Sequence, residues 1–244
     1  MHDRRRAAPR VLKQALDPLR IEPLGDAAAY VEFSAALELE SNRALQGIAA
    51  ALRARAPAWI HDVVPALAGI ALHFDAAHAE LPAEPLEAAA ALVASCAKLA
   101  SQSDAATREV RVPVCYHPRF ALDIVEVAEK TGIAPEDVAG RHCGTEHYVL
   151  MVGFAPGQPY IGGLDRGLAL PRRATPRTRV PAGSVAIAND QTAVYPFEIS
   201  GGWNVIGRTP LVVFDPRREP PSLFAPGDRV KFVPITPADF ERLR

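Results

Sequence analysis

Three consecutive blocks in the second half of this 244-residue chain carry residue types with chemical use. The first is Gly153-Phe-Ala-Pro-Gly-Gln-Pro-Tyr-Ile-Gly-Gly163. Proline fixes φ and glycine permits φ > 0, so the geometry of such a loop is specified and its backbone N–H groups are exposed. Free N–H groups suit a carboxylate or an oxyanion. The competing reading is a tight structural crossover between strands. The second block, residues 171–184, concentrates Arg172, Arg173, Arg177 and Arg179. An arginine fork holds a carboxylate or phosphate through two bonds, whereas a solvated basic face is the alternative for any one of them. Prolines within the block restrict it and favour presenting at least one arginine inward. The third block runs from Glu198 to Thr209. Gly201-Gly202 brings backbone close, Trp203 supplies an aromatic wall or simply core, and Glu198 and Asn204 offer polar groups. Glu198 reads either as a general base or as the ion-pair partner of an arginine.

Outside these blocks, His117, His142 and His147 fit neither HExxH nor a Cys/His zinc spacing, so no metal is expected. His142 is the candidate for proton transfer. Cys143 as a nucleophile has no visible triad. A P-loop and a GxGxxG strand-to-helix context are both missing, so this chain is not expected to hold ATP.

The elements that must position these blocks differ on either side of residue 108. Before it alanine dominates and glycine is scarce; after it Gly and Pro cluster. Segment 101–107 has linker character, which predicts two domains, 19–107 and 108–237, after a leader over 1–18. In the first, strands over 21–24, 28–33, 59–64 and 69–74 alternate with helices over 41–55 and from Pro85, the order of a small two-layer α/β sandwich. The second opens with the alternation Val110, Val112, Val114. Helices over 122–130 and from Pro135 follow, then strands over 148–152, 184–188, 193–197, 204–206, 211–214 and 229–233, which predict a β-barrel or sandwich. The fold class is α+β.

Composition narrows the function. Hydrophobic residues make up 49% of the chain, enough for a real core. A net charge of −1 argues against nucleic acid and anionic membranes as partners. Three cysteines without CxxC spacing, and an N-terminus without an apolar h-region, fit a reducing, cytoplasmic setting. The apolar run 86–100 is too short to span a bilayer.

The ordered runs VGFAPGQPYIGGL, LPRRATPRTRVPAGSVAIANDQTAVYPFEISGGWNVIGRTPLVVFDP and PGDRVKFVPI, with LGDAAAYVEF near the start, resemble the family of the 5-oxoprolinase B-type subunit. That family also takes in allophanate hydrolase subunit 1 and an inhibitor of a sporulation histidine kinase. The resemblance implies a small α/β N-terminal domain and a cyclophilin-like β-barrel C-terminal domain. It implies an amidohydrolase subunit that opens 5-oxoproline to glutamate with a C-type subunit, while an A-type subunit uses ATP to activate the lactam; this chain binds no cofactor of its own. Carbamoyl chemistry of the allophanate or urea-carboxylase kind, or inhibition of a sensor histidine kinase, stand as alternatives. The matched positions are His142, Arg172 and Glu198 as catalytic candidates. Phe154, Pro156, Gly157, Pro159, Tyr160, Arg177, Gln191, Gly201, Gly202, Trp203 and Asn204 are the substrate-binding candidates. One departure stands out: many relatives carry a GGEFGPDL-like segment where this chain has His117-Pro-Arg-Phe-Ala-Leu-Asp-Ile124.

Overall fold

A computed structural model of the chain describes residues 20–33, 39–100 and 108–244, and contacts divide the chain into two compact units, Met1–Ala106 and Thr107–Arg244. The leader expected over 1–18 and the connector over 101–107 lie outside the described residues.

In the first unit, strands β1 (Arg20–Pro23), β2 (Ala28–Glu32), β3 (Ile60–Pro65) and β4 (Gly69–Phe74) form an antiparallel sheet in the order β1-β2-β4-β3. Gly25, at φ 71°, lies in the tight β1–β2 connection, a backbone region that glycine enters without penalty. Helices α1 (Leu39–Arg55) and α2 (Pro85–Ala100) cover it. Leu45, Ile48, Ala49 and Leu52 recur at helical spacing on α1, as do Val93, Cys96 and Ala97 on α2. Both stripes pack into one core with Ala29, Val31, Ile70 and Leu72 of the sheet.

The second unit is built on β5 (Glu109–Val114), β6 (His147–Val152), β7 (Pro159–Gly162), β8 (Arg177–Val180), β9 (Ser184–Ala188), β10 (Gln191–Val194), β11 (Ile199–Gly201), β12 (Asn204–Arg208) and β13 (Arg229–Pro234). Seven of them form one sheet in the order β12-β9-β10-β7-β6-β13-β5, and β11 pairs with β8 as a separate ribbon. Only β13–β5 is parallel within the large sheet. Its two edges meet where the Cys115 amide donates to the Arg208 carbonyl at 2.8 Å and the Arg208 amide returns the bond at 3.0 Å. The sheet is therefore a nearly closed, barrel-like layer.

Side chains alternate across a strand, and here the alternation sorts the chain into two cores. Ile161, Val185, Ile187, Val194, Ile206 and Phe232 face one core with helices α3 (Ile124–Thr131) and α4 (Pro135–Cys143). Their strand neighbours Tyr160, Ala186, Ala188, Ala193 and Val205 face the other, with Tyr195, Trp203 and Val180. Gly132 ends α3 in the left-handed region, its N–H donating to the Ala128 carbonyl. A capping box at Thr236 and Asp239 opens a final helix, α5 (Pro237–Leu243), whose Phe240 stacks on Phe120 at 4.3 Å.

Several expectations are corrected. Residues 211–214 form no strand; Phe214 makes a single bridge to Ser222, in a stretch where Pro210, Pro216, Pro220 and Pro221 lack amides to donate. Conversely, β7, β8 and β11 arise where no periodicity marks them, because strands of three or four residues are too short to display one, and α5 is a helix of only about two turns. The helix expected over 122–130 begins at Ile124 rather than at 122, which leaves Asp123 at its N-cap position.

Candidate functional site

Asp123 organises the arginine block. Its side chain makes no cap bond to its own helix. One oxygen, Oδ1, accepts from Arg173 Nη1 and from Arg177 Nη2, both at 2.6 Å. The other, Oδ2, accepts from Arg177 Nη1 and from the Val205 amide, both at 2.7 Å. The Asp123 amide in turn donates to the Val205 carbonyl at 2.8 Å. With 1% of the side chain exposed, this carboxylate ties the start of α3, the strand β12 and the arginine block into one knot. Charge-assisted bonds of this kind are roughly twice as strong as neutral ones. Glu126, one turn along α3, accepts a further bond from Arg173 at 2.5 Å and one from Lys130 at 2.6 Å. The Lys130 bond, followed by that of Arg173, holds the Glu126 carboxyl down at about 2.

The residue just before Arg173 is treated differently. The Pro171 carbonyl accepts from Asn204 Nδ2 at 3.1 Å, and the Arg173 amide donates to the Gly202 carbonyl at 2.8 Å. The backbone is thus pinned on both sides of Arg172. The Arg172 guanidinium lies 5.8 Å from the centroid of the Trp203 ring, within cation–π range. Trp203 is buried and meets Tyr160 edge-on at 5.8 Å. Burial raises the Tyr160 and Tyr195 phenols, and the positive charge of Arg172 works against that shift at both. Gly201 lies beneath the buried Tyr195 ring, where a Cβ would come within 2.7 Å of Cε1 and Cζ.

Ion pairing separates the four arginines. Arg173 pairs with Asp123 and Glu126, Arg177 with Asp123, and Arg179 with Glu198. Among the described residues Arg172 has no carboxylate within ion-pairing distance. A guanidinium held over an indole, with two phenols nearby and no internal counter-charge, is equipped to take a carboxylate through its fork.

The other expected site residues fall around this centre unequally. Tyr160, Gly201, Gly202, Trp203 and Asn204 belong to it. Arg177 is committed to Asp123 with both terminal nitrogens, so the structure assigns it to the scaffold rather than to a ligand. Glu198 is exposed and bound to the exposed Arg179. Gln191 is half-buried at the start of β10. Phe154 is 71% exposed at φ 69°, beside exposed Pro156; Gly157, at φ 77°, packs on Phe214, and Pro159 is buried at the start of β7. Within that loop Gly153 donates to the Gln158 carbonyl and Gln158 to that of Ala155. Tyr160, two residues into β7, links it to the Trp203 face.

His142 requires a correction. It is fully buried, with Nδ1 2.7 Å from the Tyr116 hydroxyl and Nε2 3.1 Å from Thr192 Oγ1. The Thr192 hydroxyl donates to the Ala186 carbonyl, so Oγ1 accepts from His142. The imidazole then carries its proton on Nε2 and accepts from Tyr116 on Nδ1. Burial, and secondarily His147, keep it well below the ordinary histidine range. Thr192 alternates with Ala193, which faces Tyr195 and Trp203. His142 therefore sits on the opposite side of the sheet from Arg172. Cys143 lies 3.3 Å from the Tyr116 hydroxyl in the same network, and burial pushes its thiol up, which disfavours a nucleophilic thiolate. His117 lies in an exposed turn, its Nδ1 accepting from the Arg119 amide.

Asp123 was not singled out by residue type. Its only signal is position, an acidic residue at a helix start inside the segment 117–124, and there an N-cap role is the default expectation.

Comparison with known proteins gives a consistent picture. Residues 19–224 match the model of the carboxyltransferase domain, subdomain C and D. The B-type subunit of the 5-oxoprolinase of Bacillus subtilis (strain 168) is 37% identical over 227 residues, covering 91% of this chain and 95% of that protein. The crystal structure of TTHA0988 superposes with a TM-score of 0.73 at 34% identity, over 85% of this chain but only 40% of that longer one. The urea carboxylase of Kluyveromyces lactis, 20% identical, shares the fold with a TM-score of 0.69 over 92% of this chain and 22% of its own. No helix among the described residues is long and apolar enough to cross a membrane.

Proposed function

This chain belongs to the carboxyltransferase-domain family, subdomains C and D, and from that premise we propose that it is the B-type subunit of an ATP-dependent 5-oxoprolinase. Its likeness to the Bacillus subtilis protein extends over nearly the whole of both chains, which supports the assignment. In this reading the second unit is the family's cyclophilin-like barrel, the first its two-layer α/β companion, and the protein is cytoplasmic. An A-type subunit uses ATP to phosphorylate the lactam carbonyl oxygen, and a C-type subunit completes the site.

The observation that carries the proposal is Arg172, the cation of its block without an internal partner, held over Trp203. 5-Oxoproline offers one carboxylate beside its lactam ring. The guanidinium takes the carboxylate while the flat ring lies near Trp203 and Tyr160. That fixes the carbonyl carbon for attack by water, and orientation of this kind lowers a barrier substantially. Water adds to that carbon, and the C–N bond breaks as the ring nitrogen takes a proton and leaves as the amine. The acyl phosphate so formed is hydrolysed to glutamate and phosphate. The amides of Ala155 and Gly157 are the candidates for stabilising negative charge on the oxygen that water contributes. Glu198 is the carboxylate offered for activating the water; its pair with exposed Arg179 is weak in water and easily given up.

The test is to purify the chain with its A- and C-type partners and follow ATP-dependent glutamate release from 5-oxoproline. Arg172→Ala should raise KM by about 10- to 150-fold, the loss of a charged hydrogen bond or two, with the melting curve unchanged. Turnover of allophanate in place of 5-oxoproline by the complete assembly would refute the proposal and favour the carbamoyl alternative. Full activity of Arg172→Ala would remove Arg172 from the site.

A further inference from the structure

Four arginines within eight residues form, by composition, a phosphate-binding segment, since clustered guanidinium groups are well matched to a dianion. The structure prevents that use. Asp123 accepts three bonds from Arg173 and Arg177, and Glu126 a fourth. Both carboxylates are supplied by the start of α3, from outside the arginine block itself. We propose that Asp123 is a specificity-determining residue: by occupying Arg173 and Arg177 it leaves Arg172 alone to meet the ligand, so that the Trp203 face selects a monocarboxylate and turns away phosphate. The inference rests on the reading of Arg172 as the ligand's anchor.

Proximity makes the clamp consequential. Arg177 lies opposite Gly201 in the β8–β11 ribbon, and Gly201 lies beneath the Tyr195 ring, so the guanidinium that Asp123 restrains is a neighbour of the ligand face rather than a distant surface charge. Released, Arg177 would add a second fork beside the first. With the clamp closed, any phosphoryl group on an activated lactam must be held by groups other than Arg173 and Arg177.

The probes are inorganic phosphate and 5-oxoproline, titrated separately by NMR into the isolated full-length chain at neutral pH. The wild type should prefer 5-oxoproline. Asp123→Asn, which keeps an acceptor for the Val205 amide but loses the charge, should bind phosphate about tenfold more tightly, equivalent to ~1.4 kcal/mol. Adding Arg177→Ala to that variant should abolish the gain, a reversal that general loosening of the fold would not produce. A folded Asp123→Asn whose phosphate affinity stays within about twofold of wild type overturns the proposal. Should Asp123→Asn fail to fold, Arg177→Ala in the otherwise wild-type chain decides instead, since an Arg177 held by Asp123 with both terminal nitrogens contributes nothing to phosphate binding. Phosphate affinity within about twofold of wild type supports the clamp, and a loss of about fivefold or more refutes it. None of these titrations uses the partner subunits, so failure of ring opening in the complete assembly would count against the proposed activity and leave this result standing.

Discussion

Removal of the Asp123 carboxylate should destabilise the second unit severely. Asp123→Ala deletes an acceptor that is 1% exposed and that serves three guanidinium N–H groups and the Val205 amide. Arg173 and Arg177 are themselves only 22% and 27% exposed, so water does not simply replace the lost partner. Breaking a buried pair from one side typically costs about 3–5 kcal/mol, because the remaining charges stay desolvated. Glu126 keeps a hold on Arg173, which favours the lower half of that range. A loss of about 3–4 kcal/mol corresponds to roughly 6–16 °C in Tm for a chain of this size. The assay is thermal and urea unfolding followed by the fluorescence of Trp203, in a Trp59→Phe background so that the signal reports the second unit alone. Glu198→Ala is the matched control: its partner Arg179 is exposed, and the change should stay within about 1 kcal/mol. Should Asp123→Ala unfold within about 1 kcal/mol of its parent, the buried clamp contributes nothing to stability and this reasoning fails.

Acid should weaken the fold below about pH 6.5, the ordinary histidine value. His142 and His147 both have lowered pKa values in the folded protein, mainly through burial. The unfolded chain takes up protons there that the folded chain refuses, so stability is full above that pH and declines as pH falls. Denaturant midpoints that stay flat from neutral pH to about pH 5 would contradict this account. Gly201→Ala should cost about 1–3 kcal/mol and weaken 5-oxoproline binding, because its Cβ collides with the buried Tyr195 ring. Gly202→Ala, whose Cβ would meet Pro176 at an ordinary 3.5 Å, should be near neutral in stability; equal losses for the two variants would refute the distinction.

The sequence carried the elements whose patterns are long enough to show. The helical stripes of α1 and α2 and the alternation Val110-Val112-Val114 all appear in the structure. The Gly/Pro block was legible as geometrically special but not as containing β7, because Pro159 to Gly162 is too brief for an alternation. Trp203 was ambiguous between wall and core, and it is both: buried, with Arg172 over its face. The four arginines looked alike in sequence. What separates them is which carboxylates fold against each, and Asp123 lies about fifty residues earlier in the chain, a separation no local pattern reports.

The separation of His142 from Arg172 follows from the smallest rule in the structure, the two-residue period of a strand. Thr192 and Ala193 are neighbours in β10, yet Thr192 accepts from His142 in one core while Ala193 packs near Trp203 in the other. His142 beside Cys143 in the sequence and Arg172 over Trp203 in space are separate pairs, and a seven-stranded sheet keeps them apart. The first pair forms a closed network in which every hydroxyl and imidazole proton has a defined acceptor, ending on the Ala186 carbonyl. The second pair is the one left with an uncompensated charge. On the proposed reading binding belongs to the face where the chain has not neutralised itself, and Asp123, by pairing with Arg173 and Arg177, sets how much charge that face presents.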